Sequence, residues 1–452
     1  MRLDEILDAG LSEGAAVVLG TRSTVVNFRI ANSTVTTNGR EESNSAGVIA
    51  IENDQVGVQS ADVHLPSQVR ELASQARGRA LQSLTAPDAM PLLLPEEVRD
   101  GRPDALASGP ESAPSDLEPI LDSTLAVLER TRQDGLRCYG YAQAATAREQ
   151  LGTRTGVRLR GLRQAASLSL TLKTSDLARS VWTGATAQRL SQIDPQTMYR
   201  KARQRLTWTK RSVQLPAGHY QVILEPSATS DLVLRLLWEM HARGADEGRT
   251  VFTGPSGSRV GEAMYASSVT LESDPLAPNM AVPNFVRALG SSEYSSVFDN
   301  GLSTPATIWV DGGVQQELIC PRRWAKDHGH PARPYVDNLR MRGTDTTVEQ
   351  MVASTDRALL VTSLWYIRDV DPSTLLLTGL TRDGVFLIER GEVVGAVNNF
   401  RFNESPVGVL QRTVEVGRTE LALSREIGDE MLIEAPPIRV DGFFMSSVSD
   451  AI

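Results

Sequence analysis

From Val213 onward the sequence breaks into short apolar runs, and these constrain the fold more than any other feature. "TPATIWVDGGV", "RALLVTSLWYI", "TLLLTGL", "GVFLIERGEVVGAVNNFRF" and "PPIRVDGFFM" are the clearest. Side chains on a strand alternate between two faces, so a run apolar at every position belongs to a sheet whose two faces are both buried. The second half is therefore expected to be β-rich. "VFLIERGEVVGAV" predicts a compact hairpin with Arg390 and Gly391 at its tip. "YQVILEP" reads as a short buried strand after a turn at Pro216-Ala217-Gly218.

The first half has a different character. "AAVVLG", "TVVNFRIAN" and "AGVIAIENDQVGVQSADV" have strand composition. Asn38-Gly39 and Asn53-Asp54 read as turns, the first being the stronger hairpin signal. "SQVRELASQARGRALQSL" places Val69, Leu72, Ala76, Ala80 and Leu84 at helical spacing. Thr85 to Pro114 is too rich in proline for a helix or a central strand and reads as an extended surface segment. A helix is expected over "DLEPILDSTLAVLERTRQ", then a β meander from Leu136 with turns at Gly152 and Gly161. A further helix follows over "DPQTMYRKARQRLTW". The predicted class is α+β. An N-terminal β-and-helix layer domain covers 1–210, with a proline-rich loop at about 85–114, and a β-rich domain covers 211–452.

Composition narrows the function. Hydrophobic residues are 41% and charged residues 22% of the chain, an ordinary globular balance. A net charge of -9 argues against non-specific binding of nucleic acid, which needs a basic surface. "MRLDEILDAG" has no apolar core of a leader peptide, and no apolar run approaches the roughly 20 residues of a membrane span. The two cysteines, Cys138 and Cys320, offer no disulfide framework and fit a reducing cytoplasm. Cys138, within a β segment, is expected to be a core thiol.

"DLVLRLLWEMHARGADEG" is the helix of most chemical interest. Ser230 is its expected N-cap and Gly244 its expected stop, with Leu232, Leu236, Leu237 and Met240 as the buried stripe. Glu239 and His241 are two apart and point to roughly opposite sides, whereas a helical metal pair needs a spacing of three or four. None of the five histidines is followed by glutamate, so His241 is expected at a solvated helix end. "CPRRWAKDHGHP" brings Cys320, His328 and His330 within eleven residues, but in no standard zinc spacing. It reads as a polar loop, with a metal site as the sharper alternative. "GPSGSRVG" lacks the lysine and hydroxyl of a phosphate-binding loop, and no G-x-S-x-G elbow occurs.

Two stretches carry a family resemblance. "LLLTGLTRDGVFLIERGEVVGAVNNFRFNESPVGVL" (375–410) and "LPAGHYQVILEPSATSDLVLRLLWEMHARGADEGRTVF" (215–252) resemble the C-terminal domain of the TldD/PmbA metallopeptidase family, and the N-terminal layout fits as well. The resemblance implies a metal helix carrying H-E-x-x-x-H, completed by a cysteine near the C-terminus. Counting back from "GRTVF" puts the two histidine positions near Val233 and Trp238 and the glutamate near Leu234, all apolar here. No cysteine follows Cys320. By resemblance, then, the chain is a non-catalytic, TldE (PmbA)-like subunit holding no cofactor of its own. It implies zinc in a TldD-like catalytic partner, with unfolded or precursor peptides as substrates. Two other readings stay open: a maturation or scaffold protein for leader removal from a peptide natural product, and a stand-alone metal enzyme using Cys320, His328 and His330. Arg382, Asp383, Arg401, Asn403 and Glu404, polar residues flanking the apolar hairpin, are the expected contacts for substrate or partner.

Overall fold

A computed structural model describes residues 1–98, 117–255 and 257–449. The expected α+β class holds. The N-terminal layer is a six-stranded sheet of β1 (Val17–Ala31), β2 (Thr34–Glu52), β3 (Gln55–Asp62), β4 (Leu136–Thr153), β5 (Arg158–Thr174) and β6 (Ser180–Ala187). Its order is β3-β2-β1-β4-β5-β6, and every neighbouring pair is antiparallel. Helices α1 (Leu3–Ser12) and α2 (Pro66–Ala80) cover one end, burying Ile6, Leu7, Val69 and Ala76 against Val18, Val48 and Ala50. Helices α3 (Leu117–Gln133) and α4 (Pro195–Trp208) cover the other, over Phe28, Ile30, Leu168 and Leu170. Of the proline-rich segment, residues 85–98 run mostly without regular structure, with one short turn of helix at Pro95–Glu97. Its remainder lies outside the described residues.

Three of the expected turns are not turns. The β1–β2 hairpin turns at Asn32-Ser33, both at positive φ (49° and 60°), as a primed two-residue turn requires. Asn38 and Gly39 instead lie inside β2, opposite Phe28 and Asn27. A turn there would have folded Val35–Thr37 onto Arg40–Glu42 and left the buried alternation Val26, Phe28, Ile30 of β1 without this partner strand. Asn53-Asp54 does turn, at φ 51° and 63°. Gly152 and Gly161 are not turns either: they pair with Arg158 and Glu149 within the β4–β5 ladder. The chain reverses between them at Arg154–Val157, where Gly156 takes φ +100°. Gly152 and Gly161 mark close approach, to Leu7 and Leu11 of α1 and to Pro283 respectively.

Gly57 on β3 is a third such position, because a Cβ there would land on backbone atoms of Ala76 and Ala80 in α2. Gly57→Ala should therefore lower stability by about 1–3 kcal/mol, an overpacking cost. Gly78, within α2 but facing open space, gives the internal contrast. Gly78→Ala should raise stability by up to about 1 kcal/mol through helix propensity alone. Denaturant titrations followed by circular dichroism would show opposite signs; equal signs would contradict this packing.

The C-terminal half contains a ten-stranded and a six-stranded sheet. Strand Gly218–Leu224 is central in the larger one, antiparallel to Ile438–Val448 and parallel to Arg357–Val361. Val222 and Leu224 face one core and Ile223 the opposite one, and all are fully buried. That is why "VIL" is continuously apolar. The hairpin Val385–Glu389 to Glu392–Val397 turns at Arg390-Gly391 (φ 53° and 80°), as expected. Between the two sheets lies α5 (Pro226–Glu239), and around it the largest core of the chain.

Candidate functional site

Helix α5 starts five residues earlier than expected. Pro226 occupies its first turn, where a missing N–H costs nothing, after Glu225 at the N-cap. Ser230 is interior and donates its hydroxyl to the Ser227 carbonyl at 2.8 Å. Burial runs all round the helix, from Ala228 through Leu234 and again at Leu236 and Leu237, as fits a helix enclosed between layers. The helix ends at Glu239, and Gly244 is not its stop.

His241 is also not at a solvated end. It is 2% exposed and caps a second short helix, α6 (Ala242–Asp246), its Nδ1 accepting from the Gly244 N–H at 3.0 Å. Gly244 is needed because a Cβ would collide with the imidazole ring. With Nδ1 accepting, the ring proton sits on Nε2, 3.2 Å from a Glu293 carboxylate oxygen. Burial pushes the imidazole below its ordinary pKa, against the opposing pull of Glu293.

A cavity of about 490 Å³ opens beside the end of α5. Arg235, Trp238 and Glu239 form its helical wall. Ser292, Tyr294 and Ser295 come from a loop, Tyr335 from the segment before strand Asn338–Met341, and Asp369 from strand Leu364–Asp371. The Tyr294 and Tyr335 rings meet edge to face with centroids 6.4 Å apart. Tyr294 donates its hydroxyl to the Trp238 carbonyl. The Arg235 guanidinium lies over the Trp238 ring, 5.3 Å from its centroid, and 3.7 Å from an Asp369 oxygen.

Of the three positions the resemblance gave to the H-E-x-x-x-H motif, Trp238 lines this cavity, while Val233 and Leu234 are fully buried in the core. Valine and leucine side chains carry no ligating atom and an indole N–H does not ligate zinc, so the residues at these positions do not fit a family-type zinc site. Among the described residues, no group of three or more His, Cys, Asp or Glu side chains could hold a metal ion. The Cys320–His330 segment accordingly makes no cluster. Cys320 is 1% exposed, its thiol pushed up to about 12 by burial and by nearby Asp246 and Asp299. His328 stacks on Trp324 at 3.8 Å, and His330 binds Asp246 through Nε2 at 2.8 Å. The segment is a short helix, Arg322–His328, rather than the expected loop.

The five expected contact residues are held within the chain. Asp383 accepts from Ser180 of β6 and, at 2.8 Å, from Arg425. Arg382 lies 3.5 Å from Asp383. Arg401 and Asn403 pair along strand Leu376–Thr381, and the Arg401 guanidinium reaches Thr378 at 3.3 Å. Glu404 is 5% exposed and accepts from Arg412 at 2.6 Å and from the Phe444 N–H at 2.7 Å. Sequence reasoning did not find Tyr294, Tyr335 and Asp369. The one available signal was a lone tyrosine in each of two otherwise unpatterned segments, "SSEYSSVFDN" and "HPARPYVDN".

Residues 217–447 match the model of the PmbA/TldA metallopeptidase C-terminal domain. The chain belongs to the PmbA/TldD metallopeptidase family. Among solved structures it is similar to TldE from Thermococcus kodakarensis, at TM-score 0.80 and 17% identity, covering 98% of this chain and 99% of that one. It is also similar to two proteins described as modulators of DNA gyrase. The one from Bacteroides thetaiotaomicron gives TM-score 0.77 at 14% identity, covering 99% and 98% of the two chains. That from Thermotoga maritima gives 0.74 at 15%, covering 98% of each. At such identities the likeness establishes the shared fold alone, over nearly the whole length. No curated protein matches. No described helix is long and apolar enough to cross a membrane.

Proposed function

We propose that this chain is the non-catalytic, TldE-like subunit of a two-chain zinc metallopeptidase, with the active zinc in a TldD-like partner and unfolded or precursor peptides as substrates. One observation carries the reading: the family fold is complete, yet the helix that would hold the metal is packed with Val233 and Leu234 as core. A buried ligand set left without its metal would strand polar groups in the interior. Apolar replacements avoid that cost and keep α5 as the strut between the two C-terminal sheets. What such a subunit contributes is shape: walls for a peptide chamber and a surface for the catalytic chain. A cytoplasmic setting belongs to the same proposal.

Co-expression with a homologue carrying H-E-x-x-x-H, followed by gel filtration and a peptidase assay, tests it. The expected result is co-elution at equal stoichiometry, with activity that neither chain shows alone. A homologue fully active by itself that never co-elutes with this chain would overturn the reading.

A further inference from the structure

The cavity beside α5 has an uneven charge inventory. Glu239 is partly buried, and the one ion-pairing group within 4.0 Å of it among the described residues is the His241 imidazole, which burial holds toward its neutral form. No Lys or Arg of the described chain forms an ion pair with it. Burial, reinforced by the neighbouring carboxylates of Asp369 and Glu293 and only partly opposed by Arg249, which is itself paired with Glu293 and Glu247, raises its pKa above the ordinary glutamate value. A cation brought beside it would favour the ionised carboxylate and oppose these effects.

Arg235, the only cation in the wall among the described residues, is turned to other work. Its guanidinium covers Trp238, donates to the Ile367 carbonyl at 3.3 Å and faces Asp369. An anion entering the cavity would meet two carboxylates and one guanidinium already engaged. The hydroxyls of the two tyrosines are engaged as well, Tyr294 with the Trp238 carbonyl and Tyr335 with the Met431 sulfur at 3.4 Å. What remains to the interior is chiefly ring surface. Aromatic rings beside an unpaired carboxylate attract cations and disfavour anions. Strand Leu364–Asp371 is the sheet edge at this cavity, but it is bulged at two places and its Tyr366 N–H is given to Glu426 at 2.8 Å. Recognition here falls to side-chain chemistry rather than to an added strand.

We propose that this cavity is a binding site for an alkylammonium or guanidinium group, with Glu239 as its counter-charge and Trp238, Tyr294 and Tyr335 as its walls. The volume of about 490 Å³ accommodates a lysine- or arginine-sized side chain with its first neighbours. The site is complete in this one chain. It stands whether or not a catalytic partner exists, and it extends the proposed function by giving the complex a preference for basic peptides.

The test uses the purified full chain alone, with intrinsic tryptophan fluorescence confirmed by calorimetry. Three probes are compared: a short peptide capped at both ends with one central lysine, the same peptide with norleucine there, and free putrescine. The lysine peptide or putrescine should bind at least about tenfold more tightly than the norleucine peptide, as one charge-assisted hydrogen bond predicts. Putrescine alone would assign the site to free amines, the lysine peptide alone to peptide side chains. Glu239→Gln, near-isosteric, should remove about the same factor, and Trp238→Leu should weaken binding by a separate route. Unchanged melting temperatures would keep folding out of the comparison. Equal binding of lysine and norleucine peptides, no binding of either amine, or undiminished binding by the Glu239→Gln protein would overturn the proposal.

Discussion

Replacing Arg205 with methionine is expected to remove up to about 3–5 kcal/mol of stability, the cost of leaving one member of a buried ion pair alone, less whatever the nearby Lys201 compensates. Arg205 projects from α4 and is 3% exposed. It donates to the Trp182 carbonyl of β6 at 3.0 Å and to the carboxylate of Glu225, the N-cap of α5. The pair thus ties the N-terminal layer to the helix at the heart of the C-terminal half. The apolar packing around it spans the same junction, with Ala202 and Leu206 in one cluster with Ile223, Leu360 and Phe386. Burial alone would push the Glu225 carboxyl up, but Arg205 and Lys201 outweigh it and hold the group below the usual glutamate range. Without Arg205, the half-exposed Lys201, 3.3 Å away, is the one cation among the described residues left paired with it. Urea denaturation should show the loss as a lower midpoint. The double variant Arg205→Met with Glu225→Leu should recover much of it, because no charge is then buried unpaired. A double variant as unstable as the sum of the single ones would mean that the pair contributes packing and not charge compensation.

What the sequence disclosed follows from which physical signals are local. The strand Gly218–Leu224 was legible because a strand buried on both faces must be apolar at successive positions. The tip at Arg390-Gly391 was legible because its flanking runs fix the register on both sides. Asn38-Gly39 misleads for the converse reason: its local turn preference is outweighed by the long-range pairing of β2 with β1, which only the assembled sheet reveals. Gly152 and Gly161 suggest turns locally but serve contact, with partners in α1 and at Pro283 far along the chain. The apolar character of Val233 and Leu234, at positions the family register aligns with the metal motif, was legible in the sequence, whereas their complete burial needed the fold. The cavity was not legible. Its walls come from positions between 235 and 369, and neither Tyr294 nor Tyr335 belongs to a periodic segment. The burial of His241 escapes the sequence because it depends on Gly244 and Glu293, neither of which a helix pattern registers.

The acid at the centre of α5 should make the chain less stable as pH rises. Asp231 is 2% exposed. One carboxyl oxygen accepts from the Ser424 hydroxyl at 2.5 Å and lies 3.5 Å from the Glu426 N–H, while the other has no hydrogen-bond partner. Burial is the dominant influence and drives its pKa up to about 7; the Ser424 hydroxyl and Arg425 pull the other way and Glu426 adds to the rise. The unfolded chain ionises the same group near 3.8. Between those values the folded form binds the extra proton, so stability falls as pH rises from about 4 to about 7 and levels off above. Asp231→Asn keeps the neutral shape at every pH. The variant should match the parent near pH 4 and exceed it by about 4 kcal/mol at pH 8, because each tenfold difference in proton affinity between the folded and unfolded chain is worth about 1.4 kcal/mol. Taking the difference between the two proteins at each pH cancels every other titrating group. A difference that does not grow with pH across this window would show that Asp231 ionises freely, and that α5 is open to water at the point where it looks most enclosed.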